Sequence, residues 1–199
     1  MFDMTGETIV KEFAIETLKK YFTDRYSNLK DVEKRNFPDL VDDENKIGIE
    51  ITRAVNQGFL KDLDAHSKNK MKDFRNTIHR DRYLWVPKKE ETATKLKQIK
   101  DSYNKKLKKI NGGNYDAVKI VDLFILSSIK DDFDPQIFFE IFETSKSKNF
   151  RYIYIVAYFK IYEIDLMEKY INKLEFDNRV INEIVEENKG EKCGWLWII

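Results

Sequence analysis

The chain has 199 residues, of which 42% are hydrophobic and 14% aromatic, which suits one domain with a packed core and excludes global disorder. Charged residues make up 36%, yet the net charge is only +1, so any nucleic-acid binding has to come from local clusters of Lys and Arg. Cys193 is the only cysteine, which excludes an intrachain disulfide and a thiolate-rich zinc site.

The chain begins without a basic segment followed by an apolar stretch, so we expect no secretory signal. No run approaches the roughly 18 apolar residues of a membrane span. From these two features we expect a soluble protein in the reducing cytoplasm, without a membrane partner.

Residues 5–23 are predicted to form the first helix, which Thr5 would cap. Its inward stripe has helical spacing and consists of Val10, Phe13, Ala14, Thr17, Leu18 and Tyr21. Glu7 falls within that stripe, which is unusual for an acid. The helix dipole alone favours an acid in the first turn, so both a structural and a functional role of Glu7 remain open.

The segment NFPDLVDDENKIGIEIT predicts a β-hairpin in which the polar turn DDENK joins two short strands. Side chains alternate along a strand, so three isoleucines pack on one face while Gly48, Glu50 and Thr52 lie on the other. A hairpin brings Asp39, at the start of the first strand, close to Glu50. Such a pair of carboxylates offers the oxygen ligands that Mg²⁺ prefers. Alternatively, Glu50 is an ordinary residue facing water and Pro38-Asp39 starts a turn.

Pro38-Asp39 and Glu50-Ile51-Thr52 resemble the signature of the PD-(D/E)XK (restriction-endonuclease-like) nuclease superfamily, over roughly residues 5–60. The resemblance implies an α/β fold with a mixed β-sheet flanked by helices in αβββαβ order. It also implies that Asp39 and Glu50 hold Mg²⁺ or Mn²⁺, together with the carbonyl of Ile51. The first helix of this family often donates a further acid, for which Glu7 is preferred over Glu12 and Glu16.

The chain departs from the family pattern at Thr52, where the signature has a lysine that orients or activates the attacking water. Either a lysine from elsewhere replaces it, or activity is lost. Lys46 shares the parity of Glu50 and is one candidate. The others lie on the following helix: Lys61, Lys68 and Lys70. Thr52 itself would orient the water through a hydrogen bond.

The stretch from residue 56 to residue 83 is polar and partly helical, and it follows the hairpin directly. Its candidate nucleic-acid contacts are Gln57, Lys61, Lys68, Lys70, Arg75 and Arg80. Basic side chains at a site of this kind would contact phosphates. Acids are interspersed among them, so a solvated helix face is the alternative.

Residues 88–112 are predicted to form an amphipathic helix, whose apolar stripe is Leu96, Ile99, Tyr103, Leu107 and Ile110. The lysines, including Lys105, Lys106, Lys108 and Lys109, are assigned to its outer side. That outer side either lines a nucleic-acid groove or is simply solvated. We treat the chain as one domain, 1–199, in which this basic helix is the preferred candidate for an insertion.

The remaining elements are predicted as scaffold. Strands are expected at 83–86, 121–126, 152–162 and 194–199, and helices at 135–145 and 165–173. The aromatic residues here are interpreted as core rather than as a base-stacking platform.

These features together predict a metal-dependent nuclease that hydrolyses phosphodiester bonds, with DNA favoured over RNA because of the family resemblance. Two alternatives remain: a catalytically inactive protein of the same fold, of phage or mobile-element type, that binds nucleic acid or a protein partner, and a plain interaction scaffold. Homodimerisation is common among nucleases that cut both strands, and it stays open.

Overall fold

Segments with a period of two residues and segments with a period of 3.6 residues follow one another along the chain, and most of them form the strands and helices that these periods predict. The computed structural model describes residues 6–32, 38–54, 92–112, 115, 118–127, 129, 133–142, 150–157 and 160–175. Its elements are, in chain order, α1 (Gly6–Tyr21), α2 (Thr23–Tyr26), β1 (Lys30–Asp31), β2 (Leu40–Asp42), β3 (Ile47–Ala54), α3 (Thr92–Asn111), β4 (Ile120–Ser127), α4 (Ile137–Ile141), β5 (Tyr152–Ala157), β6 (Lys160–Asp165) and β7 (Tyr170–Glu175).

The strands form one seven-stranded mixed sheet in which they lie in sequence order. The β3–β4 and β4–β5 pairs are parallel, and the other neighbours are antiparallel. Helices flank the sheet, so the predicted α/β class with a mixed sheet and flanking helices is confirmed. The predicted hairpin is also confirmed, because Leu40 pairs with Ile49 and Asp42 pairs with Ile47.

The sheet divides the core into two layers, and the side chains of β3 point alternately into one layer and the other. The isoleucines Ile47, Ile49 and Ile51 pack with the apolar face of α1 in one layer. In the other layer the apolar residues of α3 and α4 pack against the opposite face of the sheet. Burial of apolar surface on both faces explains why β4, in the middle of the sheet, is almost continuously apolar.

The helix predicted over residues 88–112 is observed as α3. Its stripe is buried at Leu96, Ile99, Tyr103 and Ile110, and these residues belong to the same core layer as Leu123 and Ile125 of β4. The helix lies in the connection between the parallel strands β3 and β4 and packs against both. The helix is therefore part of the core, and whether it is an insertion stays a prediction.

A buried polar cluster around Asp122 lies on the face of the sheet that packs against α1. Tyr26 donates a hydrogen bond of 2.7 Å to Asp122 Oδ2 and shares one of 2.8 Å with Tyr154. Arg151 donates two further hydrogen bonds to the fully buried Asp122 carboxylate. Because the buried charge is both paired and hydrogen-bonded, we interpret this network as the tie between α2 and the sheet.

Two predictions for the second half were wrong, and one needs shortening. The strand expected at 152–162 is a hairpin, because Tyr152 pairs with Asp165 and Ala157 pairs with Lys160. The helix expected at 165–173 is a turn followed by β7, and the Asp165 carboxylate accepts backbone N–H groups of that turn. The helix expected at 135–145 is observed over Ile137–Ile141, and Phe142 is already extended.

The hairpin was missed because strands that are buried on both faces show no alternation that would mark a boundary between them. The strands predicted at 83–86 and 194–199 lie outside the described residues. Within the described part of the chain, no helix is both long enough and apolar enough to span a membrane.

Candidate active site

The β2–β3 hairpin places the two carboxylates that the sequence singled out. Its turn is held by Asp42, which accepts hydrogen bonds from the N–H groups of Glu44 and Asn45 at 3.1 and 3.0 Å. Asp39 lies immediately before β2, and its Oδ2 accepts a hydrogen bond of 2.6 Å from the N–H of Ile51. Asp39 is therefore fixed to the backbone of β3, one residue beyond Glu50.

Gly48 contributes to this arrangement by its lack of a side chain. An ideal Cβ built on Gly48 would lie 2.9 Å from Cβ of Pro38, a distance at which something must shift. The proline ring therefore occupies the space above Gly48. This close approach sets the distance of the Asp39 segment from β3.

Glu50 is the most enclosed acid of the site. Its side chain is 0% exposed, and its Oε1 accepts hydrogen bonds from Lys109, at 2.8 Å, and from the Tyr115 hydroxyl. Its Oε2 is bound by Lys106. A buried carboxylate needs this many donors and counter-charges because burial removes its hydration.

Lys106 joins the two acids. Its Nζ lies 2.9 Å from Asp39 Oδ2 and also contacts Glu50 Oε2. Its side chain is only 15% exposed. The described cluster thus contains two carboxylates, two ammonium groups and one phenol in contact with one another, and its formal charge is balanced.

The charge states follow from these contacts. Burial alone would raise the pKa of Asp39, but Lys106 and the Ile51 N–H outweigh it and lower the pKa. Burial alone would lower the pKa of Lys106, but the attraction of Glu50 and Asp39 raises it. Burial, together with the hydrogen bond to Glu50, raises the pKa of Tyr115. At neutral pH Asp39 is anionic and Lys106 is cationic, while Tyr115 keeps its proton and donates a hydrogen bond.

Comparisons of the chain with protein-family models, with curated proteins and with solved structures find no match. Function is therefore inferred from the geometry of this cluster.

Asp39 and Glu50 carry the kind of oxygen ligands that a hard cation needs. Mg²⁺ is typically bound by one or two carboxylates, with water and substrate phosphate as its other ligands. Asp39 and Glu50 fit that pattern, although ammonium groups contact both of them. Among the residues that the structure describes, no group of three or more His, Cys, Asp and Glu side chains is placed to hold a metal.

The other residues predicted for the site are placed as follows. Thr52 lies on β3, partly exposed, with the parity of Glu50. Lys46 lies in the turn with φ 55° and is exposed, so the parity argument does not apply to it, since β3 begins at Ile47.

The backbone of Glu7 lies in α1, whose buried residues pack on the isoleucine face, but its side chain is outside the described residues. Glu12 is partly buried and Glu16 is exposed.

The proposed nucleic-acid contacts after the hairpin all lie outside the described residues, so their role stays a prediction. They are Gln57, Lys61, Lys68, Lys70, Arg75 and Arg80.

Three residues of the cluster were not predicted from the sequence: Lys106, Lys109 and Tyr115. Assigning all lysines of α3 to the outer side was wrong for Lys106. A signal was present: Lys106 lies three residues after Tyr103 and four before Ile110, both of which are buried. A lysine within an apolar stripe predicts a buried cation with an acidic partner. Tyr115 follows the helix and gave no comparable signal.

Proposed function

We propose that this chain is a metal-dependent nuclease, with Asp39, Glu50 and Lys106 at its centre. The observation that carries the proposal is the position of Lys106, whose ammonium group lies between the two carboxylates. The chain lacks a lysine at Thr52, where the related signature has one, and α3 supplies an ammonium group to the same carboxylates. From α1 to β4 the element order, apart from the short α2, agrees with αβββαβ.

Asp39 and Glu50 would hold Mg²⁺ or Mn²⁺, and the carbonyl of Ile51 is a candidate third ligand. A metal ion at such a site polarises the phosphate and lowers the pKa of a bound water. With the pKa of the water lowered in this way, the reaction would need no general base among the described side chains.

Lys106 would act as a cation and hydrogen-bond donor, not as a base, because its ammonium group is paired with both carboxylates. In that state it orients the attacking water and stabilises the negative charge that develops on the phosphate. The Tyr115 hydroxyl holds Glu50 in place from the opposite oxygen.

The experiment is cleavage of single- and double-stranded DNA and RNA with Mg²⁺ or Mn²⁺. Wild type is compared with Glu50→Gln, Lys106→Met and the matched control Glu44→Gln, which changes an exposed acid of the same hairpin. We expect cleavage by wild type and by the control, with DNA preferred. We expect losses of about 100-fold or more in the other two variants, the usual scale for removing a group that stabilises the transition state.

Binding of Mn²⁺, followed by its electron paramagnetic resonance signal, gives a second readout that does not require turnover. Glu50→Gln should weaken this binding and Glu44→Gln should not. Absence of cleavage on every substrate, or a Glu50→Gln variant as active as wild type, would contradict the nuclease proposal.

A second candidate function is binding of nucleic acid without hydrolysis. It is favoured by the balanced charge of the cluster, because Lys106 and Lys109 already neutralise both carboxylates. Wild type would then bind nucleic acid in the absence of metal and never cleave it. Glu50→Gln would leave that binding unchanged while lowering stability.

A further inference from the structure

The outer surface of the last turns of α3 borders an open depression of about 690 Å³. It is lined by Asp101, Asn104, Lys105, Lys108 and Lys109. The lining residues that the structure describes all belong to α3, and the depression is open to solvent.

The depression adjoins the carboxylate cluster because Lys109 belongs to both. Lys109 Nζ lies 2.8 Å from Glu50 Oε1, and the same residue lines the depression. Its side chain is 42% exposed. A group bound in the depression would therefore lie next to the residues proposed to act on phosphate.

The charge of the lining suits an anion. The lining of the depression contains three lysines, one acid (Asp101) and the neutral Asn104, so the lining carries a net positive charge. Lys105 and Lys108 are exposed, so their ammonium groups are accessible to a ligand. They are three positions apart and therefore lie on the same face of α3.

There is another explanation for lysines in the last turn of a helix: the negative end of the helix dipole stabilises cations there, even when no ligand is bound. That explanation covers Lys108 and Lys109, which are the basic residues of the last turn. It does not cover Lys105, one turn earlier, or the depression itself.

We propose that this depression is a subsite for the phosphodiester backbone of nucleic acid, where Lys105 and Lys108 bind phosphates next to the one at Glu50. The inference rests on the proposed function and adds to it the part of the substrate that lies beside the reacting phosphate. The contacts are to phosphate, so the subsite carries no preference for base sequence.

The test is equilibrium binding of a labelled DNA duplex and of its separated strand, measured by fluorescence anisotropy in EDTA across a range of salt concentrations. The variant Lys105→Gln/Lys108→Gln removes two phosphate contacts. It should reduce the slope of log affinity against log salt by about 1.8 for the duplex and about 1.4 for the single strand. The matched control is Lys97→Gln/Lys100→Gln, with the same spacing on the same helix, outside the depression. It should leave the slope unchanged.

An unchanged slope in Lys105→Gln/Lys108→Gln overturns the subsite, and so does an equal reduction in the control pair or an absence of binding by wild type. Cleavage assays on the same proteins separate the two proposals. Cleavage that depends on Glu50, together with an unchanged slope, rejects the subsite and retains the nuclease. A reduced slope without any cleavage supports the subsite and rejects the nuclease.

Discussion

Replacing Lys106 by methionine tests whether the carboxylate cluster is formed as described. Methionine keeps the unbranched aliphatic stem that packs along α3 and removes only the ammonium group. Asp39 then keeps the Ile51 N–H, while Glu50 keeps Lys109 and Tyr115. The variant therefore isolates the loss of one of two counter-charges.

The magnitude follows from the burial of Glu50, whose side chain is 0% exposed. Removing one partner of a buried ion pair costs about 3–5 kcal/mol. Because Glu50 retains two donors, we expect Lys106→Met to fall at the lower end, about 3 kcal/mol. For a chain of this size that corresponds to roughly 6–12 °C in melting temperature.

Urea unfolding of four proteins measures the effect: wild type, Lys106→Met, Glu50→Gln and the double variant. Neutralising Glu50 removes the charge that Lys106 compensates, so the double variant should be more stable than the sum of the single changes by about 1–3 kcal/mol. The folded-state pKa of Lys106 is raised above its unfolded value near 10.5. Its contribution is then complete below pH 10.5 and is lost as the pH rises through the folded value. Additive single changes, with Lys106→Met within about 0.5 kcal/mol of wild type, would refute the cluster.

Two further substitutions, Asp39→Asn and Gly48→Ala, test the role of Asp39 and the close approach of Pro38 to Gly48 that positions it. The folded-state pKa of Asp39 is lowered from 3.8, so its contribution is present above pH 3.8 and lost as the pH falls through the folded value. The stability difference between wild type and Asp39→Asn, from urea unfolding at several pH values, should therefore close under strongly acidic conditions; a difference independent of pH would contradict this. Gly48→Ala places a methyl group against the Pro38 ring and should cost about 1–3 kcal/mol. It should also displace Asp39, reducing cleavage by about 100-fold; unchanged stability would mean that the ring does not fill this space.

Local patterns in the sequence predicted the part of the site that lies on one hairpin. Asp39 and Glu50 are eleven positions apart, and the strand period alone puts Glu50 on the face opposite the isoleucines. Turn residues mark the connection between its two strands, so the hairpin itself could be predicted from the chain. The stripe of α3 was likewise local, because it repeats within one helix.

The same local reasoning failed where no turn residue interrupts an apolar run. Strands β5 and β6 are buried on both faces, so their residues carry no alternation, and one strand and two strands look alike in sequence. The turn after Asp165 was mistaken for a helix because its backbone N–H groups donate to the Asp165 side chain and not to backbone carbonyls.

The sequence by itself determined the α/β class, the hairpin, the two carboxylates and the amphipathic helix, because each depends on residues close together in the chain. Only the tertiary structure decided which cation faces those carboxylates. Lys106 is separated from Glu50 by 56 residues and from Asp39 by 67, and its contact depends on how α3 packs across β3. Packing of that kind is set by the burial of both core layers at once, so no local pattern specifies it.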